Sequence, residues 1–203
     1  MKNSLTIQKI EISKEVIIVI EGEEYHFALN YFTANPLREG DVLEEEDFQE
    51  YCQKEVCFNC GLDLTKALKR KDLTVKEAES YLLNKGYAED VINNVLLDYQ
   101  KKGLLDDERY IKDYLINRVR KSIGLYRCVY ELEQKGFKAS DVAPFLTQQL
   151  RNEEERRALA LARKTYAIKK EYPKVYYKLS YAGYDEDIIK KAMREIGYEM
   201  QED

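Results

Sequence analysis

The apolar residues change their period once along this chain. Leu5 and Ile7, then Ile10 and Ile12, stand two apart, with a phase slip between the pairs. Val16–Ile20 is β-branched throughout, and beyond a turn at Glu21-Gly22-Glu23, Tyr25, Phe27 and Leu29 alternate with polar or small residues. A period of two places side chains on one face of a pleated strand, where β-branched residues pack well. The stretch therefore predicts a small antiparallel hairpin or meander. Asn35-Pro36 and Glu39-Gly40 are breakers. From Glu44 the period becomes helical and remains so to the C-terminus.

The helical part repeats itself. Glu77-Ala-Glu-Ser-Tyr-Leu-Leu-Asn-Lys-Gly-Tyr87 matches Arg127-Cys-Val-Tyr-Glu-Leu-Glu-Gln-Lys-Gly-Phe137, and both match Lys174-Val-Tyr-Tyr-Lys-Leu-Ser-Tyr-Ala-Gly-Tyr184. Leu82, Leu132 and Leu179 each stand four residues before Gly86, Gly136 and Gly183, and an aromatic follows each glycine. Six residues past each glycine come Ile92, Val142 and Ile189, and ten past it Leu96, Leu146 and Met193. The glycines are 50 and 47 residues apart. Such periodicity marks a repeat architecture, in which each unit buries its apolar face mainly against its neighbours.

Within one unit, a helix ends at the glycine because the position after a helix favours a left-handed backbone. A turn carrying Asp90, Ser140 or Asp187 starts the next helix. A longer helix precedes each pair, at roughly Gly61–Lys71, Asp107–Lys121 and Glu153–Lys170. Thr74 with Glu77 has the spacing of a capping box, and Pro173 stands where a first-turn proline is welcome. The predicted fold is mainly α: tandem three-helix repeats in an elongated array, with a small N-terminal β extension. Its parts are a β-rich extension over 1–50 leading into an acidic helix, and repeats over 51–105, 106–151 and 152–203, joined near Asp106 and Asn152.

Charge modifies this picture. The chain's net charge of −5 argues against a nucleic-acid partner until it is divided. Residues 1–65 carry 5 Lys/Arg against 14 Asp/Glu, while the remainder carries 28 against 24. The later part can therefore meet a phosphate backbone or an acidic protein face. The longest wholly apolar run, Val16–Ile20, is five residues, so neither a signal peptide nor a membrane anchor is expected. Four cysteines in 203 residues do not suggest a disulfide framework, and a reducing cytoplasm is the expected setting.

Candidate chemistry is sparse. Asp106 and Asp107 lie at a predicted helix start, where carboxylates cap backbone N–H groups, and read as a joint between units. Cys57-x-x-Cys60, with Cys52 nearby, has metal-like spacing. Its completion would need Cys128 or the single histidine, His26, both remote, so packed thiols are the reading rather than zinc or a redox pair. No glycine-rich loop precedes a Lys-Ser/Thr pair, and no nucleophile stands with a base. No cofactor, small-molecule substrate or catalysis is expected.

Basic residues recur at one place in each unit. Lys66, Lys69, Arg70 and Lys71 end the first long helix; Arg118, Arg120 and Lys121 end the second; Arg163, Lys164, Lys169 and Lys170 end the third. Cations at helix C-termini are favoured by the dipole, which accounts naturally for one or two per helix. Three or four per helix point to a contact surface for an acidic partner.

Gly103-Leu-Leu-Asp-Asp-Glu-Arg-Tyr110 joins the first two units. With Leu82-x-x-Lys-Gly-Tyr87 before it, and Gly124 and Glu131-Leu-x-x-Lys-Gly-Phe137 after it, the pattern resembles the RecX family of recombination regulators. The strand-rich start followed by Leu37-Arg-Glu-Gly-Asp-Val-Leu43 resembles the N-terminal extension of longer members. The resemblance implies binding to RecA filaments on single-stranded DNA, and inhibition of their recombinase, ATPase and co-protease activities, in the setting of DNA repair and the SOS response. Ala182 in place of the family's Lys, and the chain's low basicity, are departures that count more against DNA affinity than against protein binding. The alternatives are a direct DNA-binding, helix-turn-helix-like protein and a helical-repeat scaffold for another protein.

Overall fold

The computed structural model describes residues 4–198, which form two compact units, one ending at Leu105 and the other starting at Asp106. The first begins with strands β1 (Ser4–Ile12), β2 (Glu15–Ile20) and β3 (Glu23–Ala28), an antiparallel meander. Opposite β2, Ile7 pairs with Ile20 and Lys9 with Val19, which leaves Gln8 as a bulge. The bulge is the phase slip of the sequence: one extra residue returns Ile10 to the face that Ile7 buries. Leu29 does not extend β3. It opens a short helix, α1 (Leu29–Ala34), whose Tyr31 and Phe32 are buried under the sheet. A short strand not anticipated from the sequence, β4 (Val42–Glu44), then pairs with the other edge of β1, giving the order β3-β2-β1-β4.

Helix α2 (Glu45–Leu68) is 24 residues long and passes without a break through 50/51. Near its start Phe48 enters the sheet core with Ile7, Val16, Ile18, Ile20 and Phe27. Tyr51 joins them, its hydroxyl donating to Asn35 O at 2.8 Å while its own carbonyl accepts from the Tyr31 hydroxyl at 2.9 Å. Twelve residues beyond Phe48, Cys60 and then Leu64 face a different core. Because the buried face changes along its length, α2 has no single apolar stripe, and what the sequence divides into an acidic helix and a second helix from Gly61 is one continuous rod.

That second core is the first repeat. Helices α3 (Val75–Leu83) and α4 (Glu89–Lys101) pack Ala78, Leu82, Ile92, Val95 and Leu96 around Cys60 and Leu64. Buried Thr74 accepts from the Glu77 N–H at 3.0 Å while Glu77 accepts from the Thr74 N–H at 3.2 Å, the capping box of the sequence.

The second unit holds two further cores. Helices α5 (Asp107–Arg120), α6 (Leu125–Gln134) and the short α7 (Ala139–Val142) enclose Ile111, Leu115, Cys128, Leu132 and Val142. Helices α8 (Gln148–Lys169), α9 (Tyr172–Ala182) and α10 (Glu186–Glu195) enclose Ala158, Ala162, Val175, Leu179, Ile189 and Met193. Asp106 caps α5, its carboxylate accepting from the Arg109 N–H at 2.9 Å. Pro173 lies in the first turn of α9.

Two expectations fail in this unit. The helix predicted through Leu146 stops at Val142 and gives way to a 3-10 turn over Ala143–Phe145, since Pro144 has no N–H to continue the ladder. The third long helix starts at Gln148, capped by Thr147, so Asn152 is no joint but lies inside α8. In both units, Asp90, Ser140 and Asp187, expected in the turns that start their helices, lie instead within the first turns of α4, α7 and α10.

The repeated motif has one physical basis. Gly86, Gly136 and Gly183 have φ of +89°, +98° and +84°. In each copy the aromatic after the glycine donates its N–H back to the repeated leucine's carbonyl: Tyr87 to Leu82, Phe137 to Leu132 and Tyr184 to Leu179, at 3.4, 3.2 and 3.3 Å. This is the bond that closes a Schellman C-cap, and only a left-handed residue between the partners permits it.

Candidate interaction surface

The cations picked out from the sequence fall into three environments. Lys69, Arg70 and Lys71, just past the end of α2, are exposed and form no ion pair among the described residues, while Lys66 pairs with Asp63 at 3.1 Å. On α5 the three residues part company. Arg120 and Lys121 are exposed, but Arg118 is not a free surface cation. Its guanidinium reaches Glu131 of α6 at 2.5 Å, and Glu131 also accepts from the Tyr114 hydroxyl at 2.5 Å and Arg127 Nε at 2.9 Å. Burial works to raise the Glu131 carboxyl, but these three donors hold it below the usual carboxylate range. Arg118 therefore joins two helices, and its place at a helix end hides that role.

Tertiary packing supplies a partner set that helix ends alone cannot disclose. Between α5 and α8 lies a cleft of about 870 Å³. Ile116, Phe145 and Leu150 form apolar walls, and Lys112, Arg120 and Arg156 are its cations. Arg156 is bonded to Glu153 at 2.7 Å, whereas Lys112 and Arg120 pair with no acid among the described residues. Lys112 and Arg156 are mid-helix residues and are missed when only helix ends are considered. Their meeting depends on how α5 crosses α8.

The third cluster, Arg163, Lys164, Lys169 and Lys170, is exposed at the far end of α8. Lys170 turns the chain, with φ +53°. Arg163 follows Arg156 by seven residues, roughly 10 Å of helix rise and two turns, and Lys169 by thirteen, roughly 20 Å, so the cluster continues along α8 from the cleft.

One acidic group is buried. Glu154 of α8 is 1% exposed and accepts from the Leu125 N–H at 2.6 Å, holding the start of α6. Burial pushes its carboxyl up to about 7 against the pull of that N–H; Asp185 raises it further and Arg151 opposes.

The cysteines pack as helix residues. Cys60 and Cys128 are buried, and burial pushes their thiols up to about 11 and about 12. Cys57 lines the first-repeat core and Cys52 the sheet core. His26 lies on β3, 3.4 Å from Glu15. Among the described residues no three metal-ligating side chains converge, and no described helix is long and apolar enough to cross a membrane.

No family model matches the chain. It is 24% identical over 201 residues to the regulatory protein RecX of Clostridium perfringens (strain 13), a match covering 95% of this chain and 94% of that one. With the regulatory protein RecX of Clostridium botulinum (strain Eklund 17B) it shares 27% over 211 residues, covering 96% and 98%. A crystal structure of regulatory protein RecX has the same fold, with a TM-score of 0.69 at 20% identity, covering 94% of this chain and 99% of that one. The crystal structure of RecX from Lactobacillus salivarius matches with a TM-score of 0.62 at 20% identity, over 70% and 97%.

Proposed function

Because this chain belongs to the RecX family of regulatory proteins, we propose that it binds the RecA filament on single-stranded DNA and inhibits its recombinase, ATPase and co-protease activities. It acts by binding rather than by catalysis, in the cytoplasm where that filament forms. The observation that carries the reading is the end-to-end match with regulatory relatives, repeats included.

Several weak contacts, spread along the repeats, suit a filament whose subunits repeat. Binding at the second then becomes effectively intramolecular, and affinity rises without any one contact being strong. Lys69–Lys71, the cleft edged by Lys112 and Arg120, and Arg163–Lys170 are the contacts assigned here. The apolar walls of the cleft favour a protein segment carrying both acidic and apolar side chains over a bare phosphate backbone.

The deciding measurement is RecA-dependent ATP hydrolysis on single-stranded DNA as this protein is titrated in. A dose-dependent fall is expected. Unchanged hydrolysis at saturating protein, with no association with the filament, would refute the assignment.

A further inference from the structure

The second unit carries a small pocket whose character is opposite to that of the basic helix ends. It has a volume of about 310 Å³ and lies among α6, α8 and the turn between α9 and α10. Tyr126 and Tyr130 of α6 line it; they are four residues apart, so they share a helix face, and are 73% and 58% exposed. Glu133 near the end of the same helix, Glu154 from α8 and Asp185 from the turn add three carboxylates, against one cation, Arg151.

Glu154 sets this pocket apart from a chance gathering of surface acids. It is 1% exposed and still lines the cavity. Among the described residues its carboxylate accepts one hydrogen bond, at Oε1 from the Leu125 N–H, and forms no ion pair. A carboxylate withdrawn from water needs a cation or several donors to stay ionised. The groups that face it supply neither. From α6 come the Leu125 N–H and the Cys128 thiol, and from α8 itself Arg151, which attracts without pairing, and Glu155, which repels. From the turn come Asp185, which also repels, and the buried Tyr184 hydroxyl. Burial outweighs the rest, so the empty pocket keeps a proton on Glu154 up to about pH 7.

A metal ion does not fit, because among the described residues no three acidic, histidine or cysteine side chains converge on a point. Aromatic rings beside separated carboxylates suit an organic cation instead. The face of a ring attracts positive charge, and a carboxylate accepts the N–H groups that carry it. The volume is at the small end of ligand pockets and suits a slender chain. We propose that this pocket binds an aliphatic primary ammonium group, as carried by a lysine side chain or a free polyamine, with its charge against Tyr126 and Tyr130 and its N–H groups donated to Glu154 and Asp185. The ammonium takes the place of the Glu154 proton, which leaves to solvent, so binding is coupled to pH. This inference does not depend on RecA.

The test is calorimetric titration of the full chain, at constant ionic strength, with three probes: a short end-blocked peptide with one central lysine, the same peptide with that lysine acetylated, and spermidine. The parent is expected to bind one equivalent of the lysine peptide or of spermidine, and not the acetylated peptide. The ammonium stays charged throughout, while the ionised share of Glu154 rises from about a tenth at pH 6 to about nine-tenths at pH 8. Binding should therefore be roughly tenfold tighter at pH 8 than at pH 6. E154Q should bind weakly and lose that pH dependence. Y126A/Y130A, which removes only exposed rings, should lose most of the affinity with its melting temperature unchanged, and Y126F/Y130F should keep it. Binding of the peptide but not spermidine identifies a protein side chain as the source, and the reverse a free polyamine. Failure of the parent to bind either at pH 8, equal affinity at pH 6 and pH 8, or parent-like binding by E154Q or Y126A/Y130A would overturn the proposal. None of these readouts involves RecA, so either reading can fail while the other stands.

Discussion

Gly124 and Gly183 lie against each other so closely that a Cβ on Gly124 would stand 2.1 Å from the Gly183 carbonyl oxygen. The contact brings the second and third repeats together, and the Gly124 N–H donates to the adjacent Ala182 O. At Gly183 the demand is double: φ is +84°, and an added Cβ would meet the Arg127 Cβ at 2.2 Å. Gly86 has the same left-handed backbone with nothing within 4 Å. G86A should therefore cost only backbone strain, about 1 kcal/mol, while G124A adds overpacking of about 1–3 kcal/mol and G183A incurs both. Urea unfolding should rank the losses G183A, then G124A, then G86A. Equal losses at Gly86 and Gly183 would show that the close approach carries no energy.

Glu154 gives the fold a pH dependence. Its carboxyl titrates at about 7 when folded, against 4.5 when unfolded, so between those values the folded state holds the extra proton. Stability should fall as pH rises through that window, by up to about 3 kcal/mol, and recover as pH falls. E154Q cannot ionise, yet its amide oxygen still accepts the Leu125 N–H. It should be more stable than the parent at pH 8 and remove most of the slope between pH 5 and pH 8. An unchanged slope in urea titrations of E154Q would place the effect elsewhere.

Glu131 has the opposite character. Removing it strands the half-buried Arg118, whose Nε already has no partner among the described residues. E131A should cost about 2 kcal/mol in thermal or urea unfolding, more than a surface carboxylate does. Because its folded pKa is lowered, the stabilisation it gives is present above pH 4.5 and is lost as pH falls further.

The proposed filament contact is tested at Arg120 and Lys121, with Arg118 left intact. Both are exposed, so R120E/K121E should change stability by within about 0.5 kcal/mol per residue. The protein concentration that halves RecA's ATP hydrolysis should nevertheless rise severalfold. R118E, by contrast, should report chiefly as a loss of folding. Full inhibition by a well-folded R120E/K121E would dismiss the cleft as the contact.

For the thiols, a chelator is expected to leave helicity and melting temperature unchanged. A thiol reagent at neutral pH should modify Cys52 and Cys57 well before Cys60 and Cys128, which are buried and hold their protons more tightly. Co-loss of a stoichiometric metal and cooperative structure would reverse the reading of Cys57 and Cys60.

Local rules made much of this fold legible. The Leu–Gly–aromatic triplets, the Thr74–Glu77 box and the slip at Gln8 each depend on residues a few positions apart, and each has its counterpart in the structure. What escaped the pattern depends on distant partners. Strand β4 is three residues long and exists because the edge of β1 is there to pair with it. Pro144 marks a break that the apolar spacing of Val142 and Leu146 hides. Arg118 and Arg120 are two positions apart on one helix end, yet only the arrival of α6 with Glu131 separates a structural ion pair from an exposed cation. Tyr126 and Tyr130 stand four apart in plain view, but Glu154 and Asp185 beside them arrive from other elements, once α8 and α10 are packed.

Helix α2 ties two cores with one rod. Phe48 is committed to the sheet and Leu64 to the first repeat, and no loop lies between them to absorb an insertion or a cut. An inserted residue between them would rotate one end by about 100° relative to the other, turning either Phe48 or Leu64 out of its core. The length of that rod is thus a gauge set by both ends. The sheet cannot be grafted, trimmed or replaced as a detachable cassette, and a shorter relative without it would have to begin its first helix with a newly made cap.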